Sequence, residues 1–393
     1  MAGLENYGRV YQEKNGDTYF YRHEVIRPLH VSSVISDVDD DSLPYEGEKR
    51  RLDATAKTFM IAGCGVATLI METLLVHPLD VLRRQCQVNP GLKKYHIIPM
   101  TLVPVVVGLH QTQGINTLWK GIGSVVLVRG MLLAIENFIS KVTLWPKEVR
   151  CNSSLKLFGQ HILLKWKYDS ISIGLITPFY SASLVETVQS EIASESPGIL
   201  DVFRNGAIRL VEVNNKGRLI PIYSLLPPTV FYVVSKYLFT LAAQGITSRI
   251  MYIKQKHSQQ LRGAYSRDLT IASDIELRSA LISASIAEAL FYPWETVIHR
   301  LHLQGTRTII DNLDTGRSVT PLLTGYSGVT DCCSTIISTE GPLGLYKGFG
   351  ALLLEFTVNF VIARVIKRIM EELRTVFEPK PKLSERPPWY NAM

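Results

Sequence analysis

Two stretches decide the reading: Pro78-Leu79-Asp80-Val81-Leu82-Arg83 at the end of one apolar run, and Pro293-Trp294-Glu295-Thr296-Val297-Ile298-His299-Arg300 at the end of another. A second pattern follows each. After the first come Gln113-Gly114, four residues, then Trp119-Lys120-Gly121. After the second come Glu340-Gly341, four residues, then Tyr346-Lys347-Gly348. Self-similarity in a fixed order is the mark of a repeat architecture. The proline-to-pattern distance is 35 residues in the first copy and 47 in the second, which places the extra twelve in the polar segment 305–325. The two prolines lie 215 residues apart, so a middle copy should carry its proline near residue 185. Pro178, in Thr177-Pro178-Phe179-Tyr180-Ser181-Ala182-Ser183, is close, and Gly198-Ile199-Leu200-Asp201 echoes Gly328-Val329-Thr330-Asp331.

The runs leading into these patterns are of membrane length. Residues 58–79 hold one charge, Glu72; residues 219–248 hold one, Lys236; residues 171–185 hold none. Further apolar runs follow Gly121, Ser279 and Gly348. A spanning helix needs about twenty mostly apolar residues. Acids sit inside or beside these runs at Glu72, Glu136, Glu186, Glu288 and Glu355. Intramembrane acids face a bundle interior or a water-filled cavity, so a polytopic bundle around a polar interior is expected. The rival is a large soluble helical protein with buried helices. Residues 95–119 lack Lys, Arg, Asp and Glu but contain Pro99, Pro104, two histidines and Gln-Thr-Gln-Gly; they are expected to form a surface helix and a turn.

Composition narrows the class. The chain has 393 residues, 46% hydrophobic and 20% charged, with mean hydropathy +0.12, which excludes a disordered, collagen-like or coiled-coil chain. Five cysteines without regular spacing exclude a disulfide scaffold and a zinc-finger array. The net charge of +7 asks for a polyanionic neighbour. The apolar runs select anionic lipid over nucleic acid. Residues 1–55 carry seven Lys/Arg and eleven Asp/Glu, a net of −4, and read as a flexible acidic arm in which Tyr19-Phe20-Tyr21 is a short apolar patch. The arm has neither the Arg-rich, acid-poor composition of a mitochondrial presequence nor the apolar core of a secretory signal.

Repeats of about one hundred residues, with Pro-x-Asp/Glu-x-x-Lys/Arg and later Glu-Gly-x-x-x-x-aromatic-Lys/Arg-Gly, resemble the mitochondrial carrier family (solute carrier family 25). The resemblance covers residues 58–376 and is fullest in the third repeat, with Tyr326, Gly328, Asp331, Glu340, Gly341, Tyr346, Lys347 and Gly348 in place. Leu82 to Asn89, Pro178 to Glu191 and His299 to Asn312 are similar to the member 46 branch of that family. The resemblance implies an all-α membrane protein with six transmembrane helices in three pseudo-threefold repeats. The expected divisions are an acidic arm 1–55, repeat 1 over 56–150, a degenerate repeat 2 over 151–270, repeat 3 over 271–376 and a polar tail 377–393.

In that family the acids and bases of the proline motif form a ring of inter-helix ion pairs that closes one end of the cavity. Here the acid positions hold Asp80, Tyr180 and Glu295, and the base positions hold Arg83, Ser183 and Ile298. By resemblance Arg83 should meet Glu295 as a fixed strut, Asp80 should face Ser183, and Tyr180 should face Ile298. The opposite gate is degraded too: Ile135-Glu136-Asn137-Phe138-Ile139 has no base, and Ala363-Arg364-Val365-Ile366-Lys367 has Arg where the acid belongs. A carrier scaffold whose transport cycle is impaired or lost follows. Pro227-Pro228 inside an apolar run should bend the helix, as a notch facing a partner or lipid or as a tolerated kink.

Other signals carry less. Cys332-Cys333 read as buried thiols, and His299 with His302 lack a third metal ligand. No phosphate loop, His-Glu-x-x-His or Gly-x-Ser-x-Gly is present, so neither an enzyme site nor a cofactor is expected. The branch resemblance implies an adaptor of the mitochondrial outer membrane, acting in fission–fusion balance, cristae organisation and lipid supply. The partners implied are membrane lipids including cardiolipin, mitochondrial fusion GTPases, the cristae-organising complex and endoplasmic-reticulum contact proteins, with no nucleic acid. The alternatives are a solute transporter of the inner membrane, supported by Asp80, Arg83, Glu295 and the complete third repeat, and a lipid-handling groove at Pro227-Pro228.

Overall fold

The computed structural model describes residues 63, 67–68, 70–143, 145, 155–193, 201–211, 219–262, 269–314 and 318–377. The acidic arm, the tail beyond Phe377 and the Gly198-Ile199-Leu200 echo lie outside the described residues. Six long helices form the body: α1 (70–88), α3 (Ile122–Thr143), α4 (Leu155–Val188), α6 (Ile222–Arg262), α7 (Leu269–Leu303) and α9 (Phe349–Phe377). Three short helices lie between them: α2 (Val103–Gln113), α5 (Asp201–Val211) and α8 (Val329–Glu340). Each repeat is therefore a long helix, a short helix and a second long helix.

Among the described residues four segments, Ile115–Thr143, Gly159–Val188, Ile222–Gln260 and Pro342–Ile369, are long and apolar enough to cross a membrane. The helices α1 and α7 complete the six-span architecture, and they carry much of the buried charge, with Asp80, Arg83 and Arg84 on one and Glu288, Glu295 and Arg300 on the other. Their polarity faces inward. Apolar side chains such as Val126, Leu175, Phe231, Leu290 and Val361 are exposed, as expected of helices that face lipid. At 41 residues α6 is about 60 Å long, roughly twice the hydrocarbon thickness, so it projects beyond the bilayer.

Pro178, Pro227, Pro228 and Pro293 all lie within continuous helices. At the double proline, Trp294 of α7 packs its ring 5.3 Å from Phe231 and donates its indole N–H to the Pro228 carbonyl at 3.4 Å. The notch thus has an intramolecular neighbour. The segment 95–119 contains the eleven-residue α2 between short 3-10 turns. Gly114 and Gly341 stop α2 and α8 in the left-handed region (φ 83° and 78°), each donating its N–H to the preceding turn. This is the physical content of the repeated Gln/Glu-Gly pair.

One element departs from an all-helical expectation. The segment holding the twelve extra residues folds as an antiparallel hairpin, β1 (Ile309–Asp311) paired with β2 (Val319–Pro321). Ile310 and Leu322 pack with Val88, Leu184, Val188 and Leu303, the C-terminal ends of α1, α4 and α7. Burying each such side chain contributes about 1.5–3 kcal/mol.

Candidate functional site

The site is the foot of the bundle, where α1, α4 and α7 converge. Lysines from the repeated second pattern cap two of these helices: Lys347 Nζ donates to the carbonyls of Asn89 and Pro90 beyond α1 (3.1 and 3.2 Å), and Lys120 Nζ reaches the Val188 carbonyl of α4 (3.5 Å). The residue before each motif proline binds back to the same lysine's carbonyl, His77 Nε2 to Lys120 at 2.9 Å and the Tyr292 hydroxyl to Lys347 at 2.7 Å. Close packing explains the final glycines. A methyl at Gly121 would lie 2.9 Å from Thr187 Cγ2, and one at Gly348 would lie 2.7 Å from Cys86 Cβ. Repeat 1 therefore seats on the odd helix of repeat 2, and repeat 3 on that of repeat 1.

Above this layer, Arg83 is surrounded by carboxylates. Its Nη2 donates to Asp80 at 2.8 Å and lies 3.6 Å from Glu295; its Nη1 lies 3.6 Å from Glu355 and 3.9 Å from Glu288. Lys236 of α6 donates to Glu288 at 2.8 Å and to the Tyr232 hydroxyl at 3.1 Å. Every one of these charged side chains is buried. Four acids thus share Arg83 and Lys236. Arg83 lies beside Glu295 as the resemblance implies, and it is also the centre of a multi-helix cluster that takes in Asp80, Glu288 and Glu355. Sequence reading named Glu288, Glu355 and Lys236 only as isolated charges in apolar runs. The available signal was spacing: Glu288 and Glu295 are seven apart, two turns on one face of α7.

In the two degenerate pairs, the polar members find other partners. Asp80 pairs within its own helix, and Ser183 meets Ser124 Oγ at 3.1 Å. The Tyr180 hydroxyl meets His299 Nε2 at 2.9 Å, and Ile298 is a buried apolar side chain. His299 Nδ1 is 2.7 Å from Gln87 Oε1, and His302 lies between Ser181 and Thr229, so both imidazoles are occupied by hydrogen bonds. Among the described residues no group of three His, Cys, Asp or Glu could hold a metal. Cys332 and Cys333 are free thiols, and burial pushes Cys332 up to about 12. A cavity beside the cluster is lined by Ile176, Thr177, Tyr180, Tyr232, Lys236 and Glu295. At the opposite end Arg364 is exposed, while Lys367 pairs with Asp274 of α7.

In repeat 3, Glu340 holds both Arg300 and Lys347, the latter at 2.6 Å. Repeat 1 has Gln113 at the corresponding place and no acid of its own there. Asp311 of β1 stands in: it accepts from Gln85 Nε2 (3.0 Å), Gln113 Nε2 (2.8 Å) and Lys120 Nζ (2.9 Å). Burial raises the Asp311 carboxyl, but the Lys120 ammonium and hydrogen bonds from Ser190, Lys120 and Gln113 outweigh it and hold the group below the usual carboxylate range. Sequence reading missed Asp311, because nothing local to residue 311 points to a partner in repeat 1.

The mitochondrial carrier protein family model matches residues 55–141 and 275–374, leaving out the repeat in which the motifs are eroded. The chain is 42% identical to the mitochondrial outer membrane protein SLC25A46 of Gallus gallus over 316 residues, covering 79% of this chain and 76% of the relative. It is 40% identical to the Homo sapiens protein of the same name, covering 79% and 74%, and 38% identical to that of Danio rerio, covering 79% and 78%. Repeat geometry and these likenesses agree: the chain belongs to the mitochondrial carrier family, in its SLC25A46-like branch, and is a multi-pass protein of the mitochondrial outer membrane.

Proposed function

We propose that this outer-membrane carrier-family protein is a non-transporting adaptor that regulates fission–fusion balance, cristae organisation and lipid supply. The observation that carries the reading is the charge cluster around Arg83. A transport gate needs matched inter-helix pairs that break and re-form. Here one guanidinium is shared by Asp80, Glu288, Glu295 and Glu355 from three helices, while Tyr180, Ser183 and Ile298 supply no second or third pair. Taking Arg83 away leaves buried carboxylates unmatched, which is strongly unfavourable. Arg83 therefore serves assembly more than a cycle of opening. The partners that fit the reading are mitochondrial fusion GTPases, the cristae-organising complex, endoplasmic-reticulum contact proteins and membrane lipids, cardiolipin among them.

Arg83→Ala is expected to lower folded abundance several-fold, by an amount set by the roughly 3–5 kcal/mol of a broken buried pair. Liposomes bearing the purified wild-type chain are expected to take up solutes no faster than empty ones, while depletion in cells changes mitochondrial length. Uptake of a defined solute, or wild-type abundance of Arg83→Ala with altered uptake, overturns the adaptor reading. The inner-membrane placement of the transporter alternative gives way to the outer-membrane placement of the relatives.

A further inference from the structure

The hairpin touches all three repeats. Asp311 joins Gln85, Gln113 and Lys120 of repeat 1, and Asp314 accepts from the backbone N–H groups of Lys93 and Lys94 (2.9 and 3.3 Å). Toward repeat 2, the Ser190 N–H donates to the Ile309 carbonyl at 2.8 Å and Gln189 bridges Ile310. The hairpin itself belongs to repeat 3. Its side chains are equally distributed: Ile310 sits among the ends of α1, α4 and α7, and Leu313 enters the cluster formed by Leu82, Cys86, Leu92 and Leu118 in repeat 1. Ile310 and Leu313 are each 1% exposed.

We propose that this hairpin is an internal staple that holds the foot of the bundle shut, with Asp311 as the positioning residue that supplies repeat 1 with the acid its own sequence lacks. Glu340 neutralises Lys347 from within repeat 3, whereas Lys120, in the same place in repeat 1, is neutralised from the hairpin. Separating the ends of α1 and α4 from α7 breaks the Asp311 contacts, the Asp314 contacts and the strand bridge together, and exposes Ile310 and Leu313. The inference goes beyond the adaptor reading and does not depend on it, since a stapled foot concerns the scaffold whatever the partner.

The test uses the full chain purified in detergent with Cys64→Ser, Cys151→Ser, Cys332→Ser and Cys333→Ser, leaving Cys86, which is fully buried in the repeat 1 cluster. Maleimide labelling of Cys86 reports opening of the foot. Asp311→Ala is expected to label at least about tenfold faster, the size of a 1.4 kcal/mol shift in an opening equilibrium. Adding Gln113→Glu, which restores an acid at the position matching Glu340, is expected to bring the rate back to within about twofold. In the Asp311-containing background Gln113→Glu gives no such protection, because two carboxylates then crowd one lysine. A wild-type labelling rate in Asp311→Ala overturns the staple. Faster labelling that Gln113→Glu fails to reverse overturns the assignment of Asp311 as the surrogate acid. Where Asp311→Ala does not fold, Asp311→Asn carries the same test, with faster labelling expected and an unchanged rate against it.

Discussion

Repeats 1 and 3 build the same foot from different means. Both end their short helix with a left-handed glycine, send a lysine to a neighbouring helix end, and close with a glycine pressed on the next repeat. They differ in their charges, repeat 3 carrying Arg300 and Glu340 where repeat 1 has Gln85 and Gln113. Repeat 3 carries Glu340 in sequence, so Arg300 and Lys347 are neutralised locally. Repeat 1 has Gln113, and its Lys120 is neutralised by Asp311, 191 residues away. The lesson is that a buried cation fixes the need for an acid but not where along the chain that acid comes from. Burial makes the requirement strict, since an unpaired charge there costs several kcal/mol.

The comparison is tested hardest at Glu340. Glu340→Ala leaves two buried cations unmatched and should cost about 3–5 kcal/mol, more than any single change at Gln113. Heat-induced unfolding of the purified chain measures it, and a midpoint within a degree of wild type would mean that Glu340 is dispensable. The glycines come next. Gly348→Ala combines a left-handed backbone, about 1–2 kcal/mol, with overpacking against Cys86, about 1–3 kcal/mol more. Gly114→Ala meets nothing within 4 Å and should cost only the backbone share, about 1–2 kcal/mol. Equal losses for the two would contradict the close seating of repeat 3 on α1. The smallest effect is the acid dependence of the Asp311 contacts. Its folded carboxyl ionises below the unfolded one, so the stabilisation is complete above the ordinary carboxylate range and is lost as pH falls through the folded value. Melting midpoints followed downward from about pH 5 should therefore decline less in Asp311→Asn than in wild type. Parallel declines would assign the acid sensitivity to other carboxylates.

Repeat 2 marks where sequence pattern gave out. Pro178 kept its place inside α4, but the flanking acid and base became Tyr180 and Ser183, and their hydroxyls found His299 and Ser124. Such neutral contacts have no charge signature, and resemblance alone pointed Tyr180 at Ile298 rather than at the next residue. The segment 305–325 was legible as an addition because the two proline-to-pattern distances differ by twelve. Its strand form was not, because a three-residue strand has too little alternation to register.

By itself the sequence determined the repeat, the helical class and the inward polarity of the spans. These are local properties: apolar length, proline and glycine at fixed intervals, and charges too costly to face lipid. Only the tertiary structure decided which charges meet. Asp80, Arg83, Glu288, Glu295 and Glu355 come from three helices, and Asp311 reaches Lys120 across 191 residues of chain. Electrostatic pairing depends on distance in space and on burial, and neither is written in the order of residues.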